Sequence, residues 1–231
     1  MSLTDALLRP LRSASAKPLV THYDDAAGTR VELSVATVAN WAAKTANWLV
    51  EEHDVEPGTP VAVRLPAHWQ TAGVLLGAWW AGAHVVGLDD AGSGDAVVTF
   101  VAPGESAEGT VAAVSLDPMG RDLGGSTGGV LDFVGEARLF GDDFFGAPAP
   151  GSTLALAGMT VDETLAAAKG QGLAAGARVL STREWTVPDG VLAALLAPLA
   201  VGGSVVQVSN PDPARLDARR TTERTTADVL A

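Results

Sequence analysis

Val55-Glu56-Pro57-Gly58-Thr59-Pro60-Val61-Ala62-Val63-Arg64-Leu65-Pro66, followed by His68 to Ala81 and then by Gly82-Ala83-His84-Val85-Val86, decides the fold. Pro57-Gly58 is a turn dipeptide, and Pro60 to Leu65 alternates Val and Ala as a short buried strand does. His68 to Ala81 is apolar on nearly every side, which predicts a helix sandwiched between layers. Gly73 and Gly77 allow another element to approach it closely. Trp79 and Trp80 are neighbours, so they cannot both face inward on one side of that helix. His84 to Leu88 is again Val-rich. A strand, a helix of this length and a second strand form a right-handed crossover to a parallel neighbour.

The same reading extends in both directions. Upstream, residues 18–23 and 30–33 flank the polar turn Asp24 to Thr29 and predict a hairpin. Ser34 then caps a helix whose apolar stripe, Val35, Val38, Ala39, Ala42, Ala46, Leu49 and Val50, recurs at three- and four-residue steps. Downstream, Ala96 to Ala102, Thr110 to Leu116, Thr153 to Ala157, Arg178 to Thr182 and Ser204 to Ser209 read as strands. Helices are predicted over Leu131 to Phe140, from the cap Thr160 to near Gly172, and over Val187 to Ala200 with Pro188 in the first turn. This order predicts an α/β fold: mainly parallel sheet layers with helices on both faces, in one domain over residues 1–231. The plausible lobe boundaries are 102–109 and about 141–152.

Composition bounds the function. At 231 residues with 47% hydrophobic side chains, the chain can bury a core without staples. It has no cysteine, which excludes disulfides, thiolate zinc sites and cysteine nucleophiles and favours a reducing, cytoplasmic setting. A net charge of −12 repels phosphodiester backbones, so nucleic acid is not an expected partner. Arg215, Arg219, Arg220 and Arg224 form a basic cluster, but Asp217 and Glu223 interleave with it and predict a solvated, salt-bridged helix face. The longest apolar stretches, Gly73 to Leu88 and Val191 to Val208, are broken by Gly, His or Pro and read as core, not as membrane spans. Met1 to Leu11 lacks the apolar run of a signal peptide.

Two blocks carry a family resemblance. The first runs from Val55 through Pro66 and on through Gly77-Ala78-Trp79-Trp80-Ala81-Gly82-Ala83-His84-Val85-Val86. The second is Gly172-Leu173-Ala174-Ala175-Gly176-Ala177-Arg178-Val179-Leu180-Ser181, continued by Leu195 to Val206 with Pro198 and Gly202-Gly203. In this order they resemble the adenylate-forming enzymes, the acyl-CoA synthetase and luciferase group, over roughly Lys17 to Leu216. The resemblance implies the fold of the front part of that group's large domain. It also implies a Ser/Thr/Gly-rich loop with a Lys before the helix that starts near Thr160, where backbone amides cradle the phosphates of ATP. Residues 147–159 read Ala-Pro-Ala-Pro-Gly-Ser-Thr-Leu-Ala-Leu-Ala-Gly-Met, with no Lys and with prolines that remove donors. The family's magnesium-binding acid, ribose-binding Asp and catalytic Lys are expected to correspond to positions after Ala231.

The remaining motifs are weak. Gly124-Gly125-Ser126-Thr127-Gly128-Gly129 matches the Gly-x-Ser-x-Gly nucleophile elbow, yet all four histidines, His22, His53, His68 and His84, precede it, and the hydrolase order needs one after. A flexible surface turn is expected there. Gly92-Ser93-Gly94-Asp95 is half a dinucleotide fingerprint and reads as a loop. Of the acidic pairs Asp24-Asp25, Asp89-Asp90 and Asp142-Asp143, only Asp89-Asp90 falls just past a strand's C-terminal end, where ligands bind in such folds. The histidines lie on different elements, which gives a metal site little support. The resemblance places Trp185 near the wall of an acyl pocket, although a core Trp capping a strand end is the expectation from burial statistics. The function expected is therefore that of a noncatalytic, truncated relative that binds a small apolar ligand or a protein partner and needs no cofactor. The alternatives are one part of a split adenylating enzyme, and a structural or regulatory homo-oligomer.

Overall fold

In the computed structural model, which describes every residue except Ala91, Gly92, Thr127, Ala147 and Pro148, the chain runs α1 (Leu3–Leu8), β1 (Pro18–Asp24), β2 (Thr29–Ser34), α2 (Val35–His53), β3 (Pro60–Arg64), α3 (Trp69–Ala81), β4 (His84–Val86), β5 (Thr99–Val101) and β6 (Val111–Ala113). It continues through β7 (Val130–Asp132), α4 (Phe133–Ala137), β8 (Leu154–Leu156), β9 (Met159–Thr160), α5 (Val161–Lys169) and β10 (Arg178–Ser181). A helical run over 189–200 follows, made of α6 (Asp189–Val191), a π turn (Leu192–Leu196) and α7 (Ala197–Ala200), and then come β11 (Ser204–Ser209), α8 (Leu216–Glu223) and β12 (Ala227–Val229).

The strands form two sheets. One has the order β12-β10-β11-β1-β2 and is parallel except for the β1–β2 hairpin. The other has the order β7-β6-β5-β3-β4-β8-β9 and is parallel except for β8–β9. Helices α2, α3, α5 and α7 lie between them: α2 packs on β1 and β2, α3 on β1 and β4, α5 on β8, and α7 on β11. This is the expected architecture of mainly parallel layers.

The central helix α3 shows why the sequence builds it this way. All of its thirteen residues but Trp80 are buried. Its packing against α2 depends on the two glycines. A Cβ on Gly77 would collide with Thr45 Cβ and lie 2.7 Å from the Ala42 carbonyl, and one on Gly73 would lie 3.1 Å from Trp41 Cβ. The helix ends at Gly82, whose φ of 89° lets its amide reach the carbonyls of Ala78 and Trp79. Trp79 is buried and donates its indole N–H to the Ala155 carbonyl (2.8 Å), while Trp80 faces outward against Phe144, so the adjacent tryptophans do divide between core and surface.

Two expectations are corrected. Residues 131–140 are not one helix. Leu131 pairs with Ala112 as part of β7, and only then does Asp132 accept from the Gly135 amide and cap α4. The arginine cluster is only in part a solvated face. Arg219 and Glu223 are buried against the first sheet. Arg219 holds Asp25 through two hydrogen bonds, one of 2.6 Å, while Glu223 accepts from Arg178 (2.6 Å), Tyr23 (2.6 Å) and Arg30 (3.0 Å). Helix α8 thus closes the outer face of that sheet through paired charges, and Asp25 is held down to a pKa of about 2, chiefly by the hydrogen bonds from Arg219. Arg220 and Arg215 behave as predicted: Arg220 pairs with Asp217 at 2.6 Å and with Asp228 at 2.8 Å, and the exposed Arg215 pairs with Asp212 at 3.2 Å.

Candidate functional site

The path of the second sheet locates the cleft. From β3 the chain crosses through α3 to β4 on one side. It then returns past β3 to β5 on the other side and steps outward to β6 and β7. Strands β3 and β5 are therefore neighbours whose outgoing connections run in opposite directions, and a crevice forms outside their carboxyl ends. A cavity of about 430 Å³ lies there, within the range of small-ligand sites. Its walls are Val63 to Pro66 at the end of β3, Gly87 to Asp90 after β4, Ala102 and Glu105 after β5, and Glu184 to Val187 from the loop that follows β10 in the other sheet. The site is built where the two sheets face each other.

Two of the four segments that wall this cleft are held by side-chain hydrogen bonds, one of them reaching across from the other sheet. The β3–α3 connection is held by Ser209 of β11, whose hydroxyl donates to the Ala67 carbonyl (3.0 Å), and by Thr71, which donates to the Pro66 carbonyl (2.7 Å). The loop after β10 is anchored through Gln207, which accepts from the Trp185 indole (3.1 Å) and donates to the Arg183 carbonyl (3.1 Å). Gly190 lets the following helix turn close behind it, because a Cβ there would strike the Glu184 carbonyl. Trp185 is 3% exposed, a core tryptophan hydrogen-bonded at its indole that also forms part of the cleft wall.

The electrostatics of the cleft are one-sided. Four carboxylates, Asp89, Asp90, Glu105 and Glu184, face one guanidinium, Arg64. Arg64 pairs with Glu105 at 2.9 Å and donates to the Ser106 carbonyl at 3.0 Å. Asp90 accepts from the Gly87 amide at 2.7 Å and so shapes the turn after β4. Asp89 is exposed and has no hydrogen-bond or ion-pair partner among the described residues.

The segment that the resemblance sets in the place of a phosphate loop forms a hairpin, and none of the described residues of 146–159 lines this cleft. Ala157 (φ 43°) and Gly158 (φ 84°) make the turn between β8 and β9. Six amides in and beside the hairpin are donated within the protein: Thr153 to the Pro150 carbonyl, Ala157 to Val85, Val161 to Thr153, Asp162 to Gly151, Gly158 to the His84 imidazole and Thr160 to the Glu163 carboxylate. The alanine and proline at 147 and 148 lie outside the described residues.

The other motifs resolve into structural roles. The glycine-rich loop is built around the buried carboxylate of Asp132, which accepts from the amides of Leu123 and Gly125, both at 2.9 Å. Ser126 accepts from the Asp132 amide and donates to Glu136, and among the described residues no histidine bonds its hydroxyl. Asp24 accepts from Ala26, Ala27 and Asn210, and Asp142 pairs with Lys44 at 2.9 Å. Tertiary folding does bring two histidines together: the rings of His22 and His68 meet edge to face at 4.5 Å. His68 accepts from the Gln70 amide as the cap of α3, and His22 hydrogen-bonds Ser209. Burial lowers both pKa values, to about 4 for His22 and about 3 for His68. Among the described residues, no three His, Asp or Glu side chains gather as a metal site, and no helix is long and apolar enough to cross a membrane. Glu105 and Glu184 carried no motif of their own. Applying the strand-end rule to β5 and β10 would have pointed to both.

No family model matches the chain. The "TIGR03089 family protein" of Mycobacterium tuberculosis is 45% identical over 238 residues, covering 97% of each chain. Among solved structures, an acyl-CoA synthetase from Brucella canis superposes with a TM-score of 0.80 at 15% identity, covering 100% of this chain and 47% of that one. A benzoate CoA ligase from Burkholderia xenovorans does so with a TM-score of 0.73 at 17% identity, covering 99% of this chain and 50% of that one. The chain therefore has the fold of part of an acyl-CoA synthetase, and it spans about half the length of those structures.

Proposed function

The chain belongs to the TIGR03089 family, and from that premise we propose that it is a noncatalytic relative of the acyl-CoA synthetases that binds a small ligand in the cleft between its two sheets. The observation that carries this reading is the hairpin at 153–162. A phosphate loop works by leaving backbone amides free to meet anionic oxygens. Here the amides of Thr153, Ala157, Gly158, Thr160, Val161 and Asp162 already donate to protein acceptors. The acidic cleft adds to this, since it repels a triphosphate. Calorimetry with MgATP and ATP–pyrophosphate exchange with a panel of carboxylic acids should both be silent on the purified chain. Robust exchange would refute the noncatalytic reading. Exchange that arises only with a second chain would instead favour a split enzyme, which the half-length structural match supports.

A macromolecular partner is supported by a different observation. Leu139 and Phe145 are 81% and 92% exposed, unusual for side chains of this size. Sedimentation at several concentrations reports whether a second copy covers them.

A further inference from the structure

With the cleft taken as a ligand site, its charge selects the ligand. The geometry points to a small organic cation, an ammonium group on an apolar body, as the class of molecule bound between Asp89, Glu184 and the wall formed by Leu65, Leu88, Trp185 and Val187. The one guanidinium on the wall, Arg64, is already matched by Glu105 and a backbone carbonyl, so it offers little to an anion. The carboxylates left over are those of Asp89, Asp90 and Glu184. Asp90 is engaged by the Gly87 amide, and Glu184 makes only a long contact of 3.5 Å with the Ala67 amide. Asp89 has no hydrogen-bond or ion-pair partner among the described residues and rims the cavity. The excess charge sits in a concave site beside low-dielectric side chains, where the field of like charges is focused. An inorganic cation is the poorer match, because no three acidic or histidine side chains among the described residues gather to ligate one. The apolar wall, with the buried indole of Trp185, gives the body of an organic cation something to cover.

The test is a titration of the full ¹⁵N-labelled chain, followed by amide shifts, with four probes: 2-phenylethylammonium, 3-phenylpropanoate, calcium chloride and MgATP. The ammonium should move the signals of Leu65, Gly87, Leu88 and Thr186, and the other three should not. Asp89→Asn should weaken that binding by about threefold, the scale of an exposed ion pair. Added salt should weaken it further. Arg64→Ala, which frees Glu105, should strengthen it by a similar factor. Both side chains are exposed, so an unchanged melting temperature will show that the variants stay folded. Tighter binding of the phenylpropanoate, or unchanged amine affinity in Asp89→Asn, would overturn the cation assignment and leave the cleft a ligand site. Calcium moving these signals while the amine does not would overturn it in favour of a metal ion. Silence from every probe would overturn both the assignment and the ligand-site reading on which it rests.

Discussion

Acidification from pH 7 to pH 4.5 should destabilise this protein through two residues, His22 and His68. Both are buried, at 4% and 5% exposure, and their rings touch. For each, desolvation is the main cause of the lowered pKa; for His68 the charge of His22 adds to it, while for His22 Asp24 and the Ala67 carbonyl oppose it. The folded values are about 4 and about 3, against 6.5 in the unfolded chain. Between those limits the unfolded state binds protons that the folded state refuses. Stability is therefore intact above pH 6.5 and falls as the pH drops toward the folded values. At 1.36 kcal/mol per pKa unit, two units of acid below 6.5 cost about 2–3 kcal/mol for each histidine, a large share of a typical stability of ~5–15 kcal/mol. Asp25 does not confuse the measurement, because its folded pKa of about 2 places its own contribution below pH 4. The assay is urea unfolding at pH 7, 5.5 and 4.5 for the natural chain and for His68→Asn, whose amide oxygen can still accept from Gln70 as a helix cap. The variant should lose about 2–3 kcal/mol less than the natural chain over this range. His53 and His84, also lowered by burial, affect both proteins equally. Parallel pH profiles for the two proteins would refute the reasoning.

Three other substitutions probe the packing. Gly77→Ala forces a methyl group against Thr45 and the Ala42 carbonyl, and should cost about 2–3 kcal/mol in urea unfolding through overpacking. Asp25→Ala strands the buried guanidinium of Arg219 and should cost about 3 kcal/mol, with the loss smaller in the Asp25→Ala, Arg219→Met pair. Gln70 is 3% exposed and neither polar atom of its side-chain amide has a hydrogen-bond partner among the described residues, so Gln70→Met should raise stability by about 1 kcal/mol. A loss in that variant would mean that the amide is satisfied by an internal water.

The layered fold could be read in the sequence because its signals are local. Pro57-Gly58, the Val/Ala alternation of β3, the glycines of α3 and the helix cap at Thr160 each act within a few residues, and each appears in the structure where the pattern put it. What stayed hidden depends on distant partners. Leu131 looks helical until it meets Ala112, which supplies the strand pairing that its own neighbours cannot. Arg219 looks solvated until Asp25, 194 residues earlier, closes over it. In both cases a long-range hydrogen-bonding partner outweighs a weak local preference.

The candidate site falls between these two cases. Asp89-Asp90 was visible because the strand before it was visible, and a strand's carboxyl end is a place to look in any open parallel sheet. Trp185 could be given two roles, wall or core, and the structure shows that these do not exclude each other: the indole is anchored on Gln207 inside the first sheet while its ring borders the cleft of the second. The strand-end rule reaches Glu105 and Glu184 one at a time, but their meeting in one cleft could not be read from spacing, because the chain order gives no hint that the ends of β5 and β10 meet; that requires knowing that β3 and β5 are neighbours and that the two sheets face each other. The acidity of the cleft is thus a tertiary property. No segment of the sequence carries it alone, and it emerges only when four strand ends from two sheets converge on one guanidinium. The proposed choice of ligand rests on that convergence, whereas the proposed loss of ATP chemistry rests on a local hairpin at 153–162. The two can fail separately: amine binding depends on Asp89 and Arg64, and exchange activity on the amides of the hairpin.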